Sequence, residues 1–81
     1  MTTNSSPYEI ILFYKYVHID NPVNYMREQR RLQESLNLKG RTIIASEGIN
    51  ATLEGTKENI ALYLEQFLSD PRFANTHVKR G

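Results

Sequence analysis

The chain predicts an α+β fold in which an antiparallel sheet carries two helices on one face. Three observations carry that prediction. Tyr8 to Val17 is almost entirely β-branched, aromatic or aliphatic and short for a buried helix. Ile49 to Glu54 alternates apolar and polar residues without a break. Two stretches with apolar residues at steps of three and four separate these strand-like segments, so the order is strand, helix, strand, strand, helix, strand onset. That order is the split βαβ pattern of ferredoxin-like sandwiches.

Residues 1–7 are polar and read as a disordered leader, leaving 8–81 as one domain. In the first strand, alternation places Ile10, Leu12, Tyr14 and Tyr16 on one face and Ile11, Phe13, Lys15 and Val17 on the other, and Lys15 marks the second face as the wetter one. Asp20-Asn21-Pro22 then signals a helix start, because an Asn or Asp side chain accepts from the first free amides and proline has no amide to lose. Tyr25, Gln29, Leu32 and Leu36 form the inward stripe with Met26 beside them; Asn37 and Gly40 supply a left-handed exit. Arg41 to Ser46 reads as the second strand, and Glu47-Gly48 as the turn into the third. Thr56 caps the second helix, whose stripe of Ile60, Tyr63, Leu64, Phe67 and Leu68 ends at Asp70-Pro71, with Phe73 packing back. Thr76 to Lys79 begins a fourth strand that the end at Gly81 cuts short. The alternative is a three-stranded fragment. The basic ending Val78-Lys79-Arg80-Gly81 resembles a cut more than a natural terminus.

Composition bounds the chemistry. With 81 residues the chain buries only about 60% of the surface its unfolded form exposes, too little for a large cleft enzyme. It has no cysteine, which excludes a disulfide framework, thiolate metal sites and a cysteine nucleophile within it. Apolar residues at 40% are too many for a disordered segment. No apolar run approaches the ~20 residues that cross a bilayer, so no membrane partner is expected and the compartment is read as the cytoplasm. The net charge is +1, unevenly placed: residues 27–41 carry +3 through Arg27, Arg30, Arg31, Lys39 and Arg41, and residues 42–71 carry −4. That basic stretch reads either as solvated helix surface or as an edge facing a polyanion.

Few residues suggest chemistry of their own. Glu47 and Asn50 flank a sharp strand-to-strand junction, where one can accept a proton and the other can orient a polar ligand; the plainer reading is a glycine-enabled turn with Asn50 bonded to local backbone. His18 near Asp20 reads as a surface pair, and His77 is too isolated to complete a metal site, so no metal is expected. Phe13, Tyr14, Lys15 and Tyr16 have the mixture of aromatic and basic residues with which open sheets stack bases and meet phosphates. The third strand lacks the aromatics of an RNA-recognition motif. The segment Val17 to Asn24 lacks the glycine and arginine of an acylphosphatase anion cradle.

Three words taken together are more specific: Phe13-Tyr14-Lys15-Tyr16 followed by His18-Ile19, then Gly40-Arg41, then Ala45-Ser46-Glu47-Gly48-Ile49-Asn50 with Ala51-Thr52. They resemble the N-terminal domain of the rhodanese-domain tRNA uridine hydroxylases, over essentially the whole chain from Glu9. The resemblance implies a bacterial-type enzyme that uses dioxygen as co-substrate to convert the wobble uridine of certain tRNAs to 5-hydroxyuridine. It also implies that a rhodanese domain with the active-site cysteine lies downstream, leaving this segment with no catalytic residue and no cofactor. On that reading the segment helps dock tRNA, with Lys15, Arg27, Arg30, Arg31 and Arg41 on the phosphates and Phe13 or Tyr14 stacking. Tyr14, Tyr16, Glu47, Gly48 and Asn50 are matched as motif or interdomain residues. The alternatives are a structural module packed on the rhodanese domain, with Glu47 and Asn50 at the contact, and an independent acylphosphatase-like enzyme.

Overall fold

The computed structural model describes residues 7–81, so the expected leader lies outside the described residues except for Pro7. The Pro7 carbonyl accepts from the Lys57 amide at 3.0 Å, tying the approach to the first strand to the start of the second helix. Six elements follow: β1 (Tyr8–Tyr16), α1 (Pro22–Ser35), β2 (Lys39–Ala45), β3 (Gly48–Thr56), α2 (Lys57–Leu68) and β4 (Val78–Arg80). The strands form one antiparallel sheet in the order β2-β3-β1-β4. The three-stranded alternative is therefore excluded, because β4, although only three residues long, pairs Ile11 with Arg80 and Phe13 with Val78.

Local chemistry explains the boundaries. Asn21 accepts from the Asn24 amide at 3.1 Å and Pro22 occupies the first turn of α1, as the start signal predicts. Thr56 accepts from the Asn59 amide at 3.1 Å and caps α2, with Glu58 in the first turn favourably placed against the helix dipole. The α1 exit passes through Asn37 at φ 55°, a left-handed position that Asn tolerates better than most residues. Gly40, expected at that exit, lies inside β2 instead. There its φ is 136°, and a side chain would overlap the Thr52 carbonyl across the strand pair.

Both helices cover the same face. Ile11 and Phe13 on β1 and Ile49, Ala51 and Leu53 on β3 are buried beneath them. The expected distribution on β1 is therefore reversed. Ile11 and Phe13 form the dry face, while Ile10, Leu12, Tyr14 and Tyr16 are exposed. Lys15 misleads because it sits near the strand end and is only partly buried: a lysine can lay its stem along apolar surface and keep its ammonium in water.

The core between sheet and helices is aromatic. Phe13 lies 4.6 Å from Phe67 between ring centroids, Phe67 lies 4.8 Å from Phe73, and Phe73 stacks on Tyr25 at 5.4 Å. Arg72 closes the outer end, 5.0 Å above the Tyr25 ring, while its guanidinium also binds Asp70 at 2.7 Å. The Tyr63 hydroxyl donates to Gln29 Oε1 at 2.6 Å and joins the two helices inside the core. This bond satisfies the acceptor of a buried polar residue.

Tyr63→Phe removes that donor and leaves the Gln29 carbonyl buried without it; we expect a loss of about 1–3 kcal/mol in denaturant unfolding, largely recovered when Gln29→Leu is added. Burial holds the Tyr63 and Tyr25 hydroxyls above the ordinary tyrosine value of 10.0. The folded state therefore keeps both neutral where the unfolded chain ionises them. Their contribution is whole below pH 10 and is lost as pH rises beyond it, which pH-dependent unfolding monitored by circular dichroism checks.

Candidate nucleic-acid interface on the open sheet face

The face of the sheet opposite the helices bears no secondary structure among the described residues. Strand register arranges its side chains in transverse rows. Arg41, Thr52, Leu12 and Lys79 are successive Cα partners across β2, β3, β1 and β4. The next row toward the β2–β3 turn is Ile43, Asn50 and Tyr14, and the one after it is Ala45, Gly48 and Tyr16. In the opposite direction Lys39 faces Glu54, so their charges offset each other.

The surface is apolar at its centre and basic at two margins. Tyr16 is 82% exposed, Tyr14 63% and Ile43 56%, with Ile10 and Leu12 also exposed. The Tyr14 and Tyr16 rings meet edge-on with centroids 5.8 Å apart and form a ridge. A hollow of about 370 Å³ lies on the β2 side of this ridge, lined by Ile43, Ala45 and Asn50, and another of about 420 Å³ lies on the β4 side, lined by Leu12, Asn75, His77 and Lys79. Arg41 and Lys79 have no acidic partner among the described residues. With neighbouring strands ~4.8 Å apart, three steps place their backbones roughly 14 Å apart.

The structure divides the residues singled out in the sequence. Phe13 is 1% exposed and cannot stack a base, which corrects its assignment to RNA contact: its ring is needed against Phe67. Lys15 pairs with Ile49 on the helix-side face and is partly buried. Arg27 and Arg30 border a shallow hollow with Val23, Met26 and Ile44 on the helix layer. Arg31 is exposed on the same helix. Arg41, by contrast, stands on the open face, so the basic run is divided between two sides of the molecule. Tyr14, Tyr16 and Asn50 come together on the open face. Gly48 serves the backbone: at φ 152°, any side chain there would overlap the Lys15 carbonyl. Glu47 lies in the turn, exposed, and its carbonyl accepts from the Val17 amide at 3.0 Å.

Asn50 also departs from the turn reading. It lies within β3, and its side-chain amide has no hydrogen-bond partner among the described residues. Leu12, Ile43 and Lys79 are the contributors that sequence reasoning missed. Their shared face follows from register across all four strands: β2 with β3 places Ile43, and β1 with β4 places Lys79 beside Leu12. His18 Nε2 contacts Asp20 Oδ1 at 2.9 Å in a fully exposed pair. Among the described residues no three His, Asp or Glu side chains gather as a metal site, and no helix is long and apolar enough to cross a membrane.

The strand order and the one-sided helix layer define a ferredoxin-like α+β sandwich with a bare sheet face. Residues 8–81 match the family described as the UPF0176 acylphosphatase like domain, and the chain belongs to that family. Among its relatives, a tRNA uridine(34) hydroxylase of Bacillus licheniformis is 47% identical over 72 residues, which are 89% of this chain and 22% of that protein. One from Aster yellows witches'-broom phytoplasma is 47% identical over 77 residues, 95% of this chain and 25% of that protein. One from Enterococcus faecalis is 44% identical over 72 residues, 89% of this chain and 23% of that protein. The chain thus spans about a quarter of the length of the curated relatives it matches. The resemblance read from the FYKY and EGIN words is borne out. The β1–α1 segment, where an acyl phosphate would need a cradle, contains neither glycine nor arginine, and Asn21 already takes the Asn24 amide.

Tyr14→Ser and Phe13→Ala separate the two sides of β1. We expect less than about 1 kcal/mol from the exposed change and about 3–5 kcal/mol from the buried one, measured by urea unfolding.

Proposed function

We propose that this domain is the N-terminal module of a cytoplasmic enzyme that hydroxylates the wobble uridine of tRNA to 5-hydroxyuridine with dioxygen, and that the module helps dock the tRNA. On this reading, which rests on the resemblance of the FYKY and EGIN words, a rhodanese domain of the same polypeptide carries the reactive cysteine. The relatives' names support the class of reaction and substrate. The observation that carries the docking role is the helix-free face, where Arg41 and Lys79 flank exposed tyrosines. Cationic side chains meet phosphates, while an apolar, aromatic centre receives bases that a duplex would keep stacked. Oxidation itself is assigned to no residue of this chain.

The six exposed large apolar residues of the face, Tyr8, Ile10, Leu12, Tyr14, Tyr16 and Ile43, favour a second reading in which the rhodanese domain packs there. Acrylamide quenching of single-tyrosine variants of the full-length enzyme separates the two. Under the docking reading Tyr14 and Tyr16 are accessible until tRNA is added; under the packing reading they are protected without it.

For docking, Arg41→Glu and Lys79→Glu each weaken tRNA binding and lower the slope of log affinity against log salt by about one, whereas the charge-matched Lys57→Glu on α2 does not. Filter binding at a series of salt concentrations measures this. Equal effects from all three variants would remove the open face from the docking role.

A further inference from the structure

We propose that the hollow bounded by Tyr14, Tyr16, Ile43 and Asn50 is a subsite for one unpaired nucleobase of an RNA strand, an inference that rests on the open face being the docking surface. Asn50 is the cross-strand partner of both Tyr14 and Ile43, so an amide stands between an aromatic ring and an aliphatic side chain in one row. Directly opposed residues bring their Cβ atoms to about 4.5–5.5 Å, within reach of a common planar ligand.

Asn50 has no local task that explains it. Asn is disfavoured inside strands and is favoured at caps and turns, yet this one is in β3 with its side-chain carboxamide unengaged among the described residues. A carboxamide presents one acceptor and two donors, complementary to the adjacent donor and acceptor on the Watson–Crick edge of a base. That edge is free only when the base is unpaired, as in an RNA loop. Tyr14 supplies a stacking surface: its ring is 63% exposed, and Tyr16 meets it at 66°, leaving ring surface uncovered. The hollow, about 370 Å³, is at the small end of the range for ligand sites, which suits one nucleoside. Arg41, one row away on β2, stands where a flanking phosphate would pass.

The test compares three RNAs of equal length against the 81-residue chain: an oligouridylate, the same strand with abasic sugars, and a self-complementary duplex. Tyrosine fluorescence reads stacking, and the side-chain amide signals of Asn50 in a 15N spectrum read base contact. We expect the oligouridylate to bind about tenfold more tightly than the abasic strand and to shift the Asn50 signals. Tyr14→Ala and Asn50→Ala should abolish that preference while leaving affinity for the duplex unchanged, with circular dichroism verifying the fold. If neither variant alters the preference while Arg41→Glu still weakens tRNA binding, the base subsite is refuted and the docking reading survives. If the chain binds none of these RNAs and no tRNA at low salt, both fall together.

Discussion

Phe13 against Phe67 is the contact on which the rest of the molecule depends. It presses β1 onto α2, and from Phe67 the aromatic series continues through Phe73 to Tyr25 on α1, so one set of rings fastens both helices to the same side of the sheet. Because strand side chains alternate, burying Phe13 and Ile11 commits Leu12, Tyr14 and Tyr16 to the other side. A small domain has few ways to cover a second face. The exposed tyrosines therefore follow directly from the way the core is built.

This division also explains the two family words. Within Phe13-Tyr14-Lys15-Tyr16 and Glu47-Gly48-Ile49-Asn50, Phe13 and Ile49 fill the core and Gly48 permits close approach to the Lys15 carbonyl. Tyr14, Tyr16 and Asn50 contribute nothing to that packing and point to one surface. Strand pairing interlocks the two words, since Tyr14 opposes Asn50 and Tyr16 opposes Gly48. A single sheet segment thus unites residues about thirty positions apart, half maintaining the fold and half presenting groups outward.

Charge behaves differently. The basic run from Arg27 to Arg41 is continuous in sequence, but α1 and β2 lie in different layers, so Arg27 and Arg30 border the helix layer while Arg41 stands on the bare face. Lys79, nearly forty residues further on, is the cation that register places in line with Arg41. Local charge density along a chain reports on a surface only where the chain keeps to one side of the molecule. Here it does not.

The sequence by itself determined the element order, both helix caps, the α2 stripe and the turn into β3, because each depends on residues within a few positions of one another: Asn21 on Asn24, Thr56 on Asn59. It also determined the family, through words whose order survives in the linear chain. Only the tertiary structure decided which face of β1 is dry. Ile10 and Ile11, or Leu12 and Phe13, are interchangeable by hydropathy, and the choice rests on where two distant helices dock. Lys15 suggested the wrong face because its length lets it lie over apolar surface and still reach water. The row of Arg41, Thr52, Leu12 and Lys79 exists only in the register of four strands, and no local spacing encodes it.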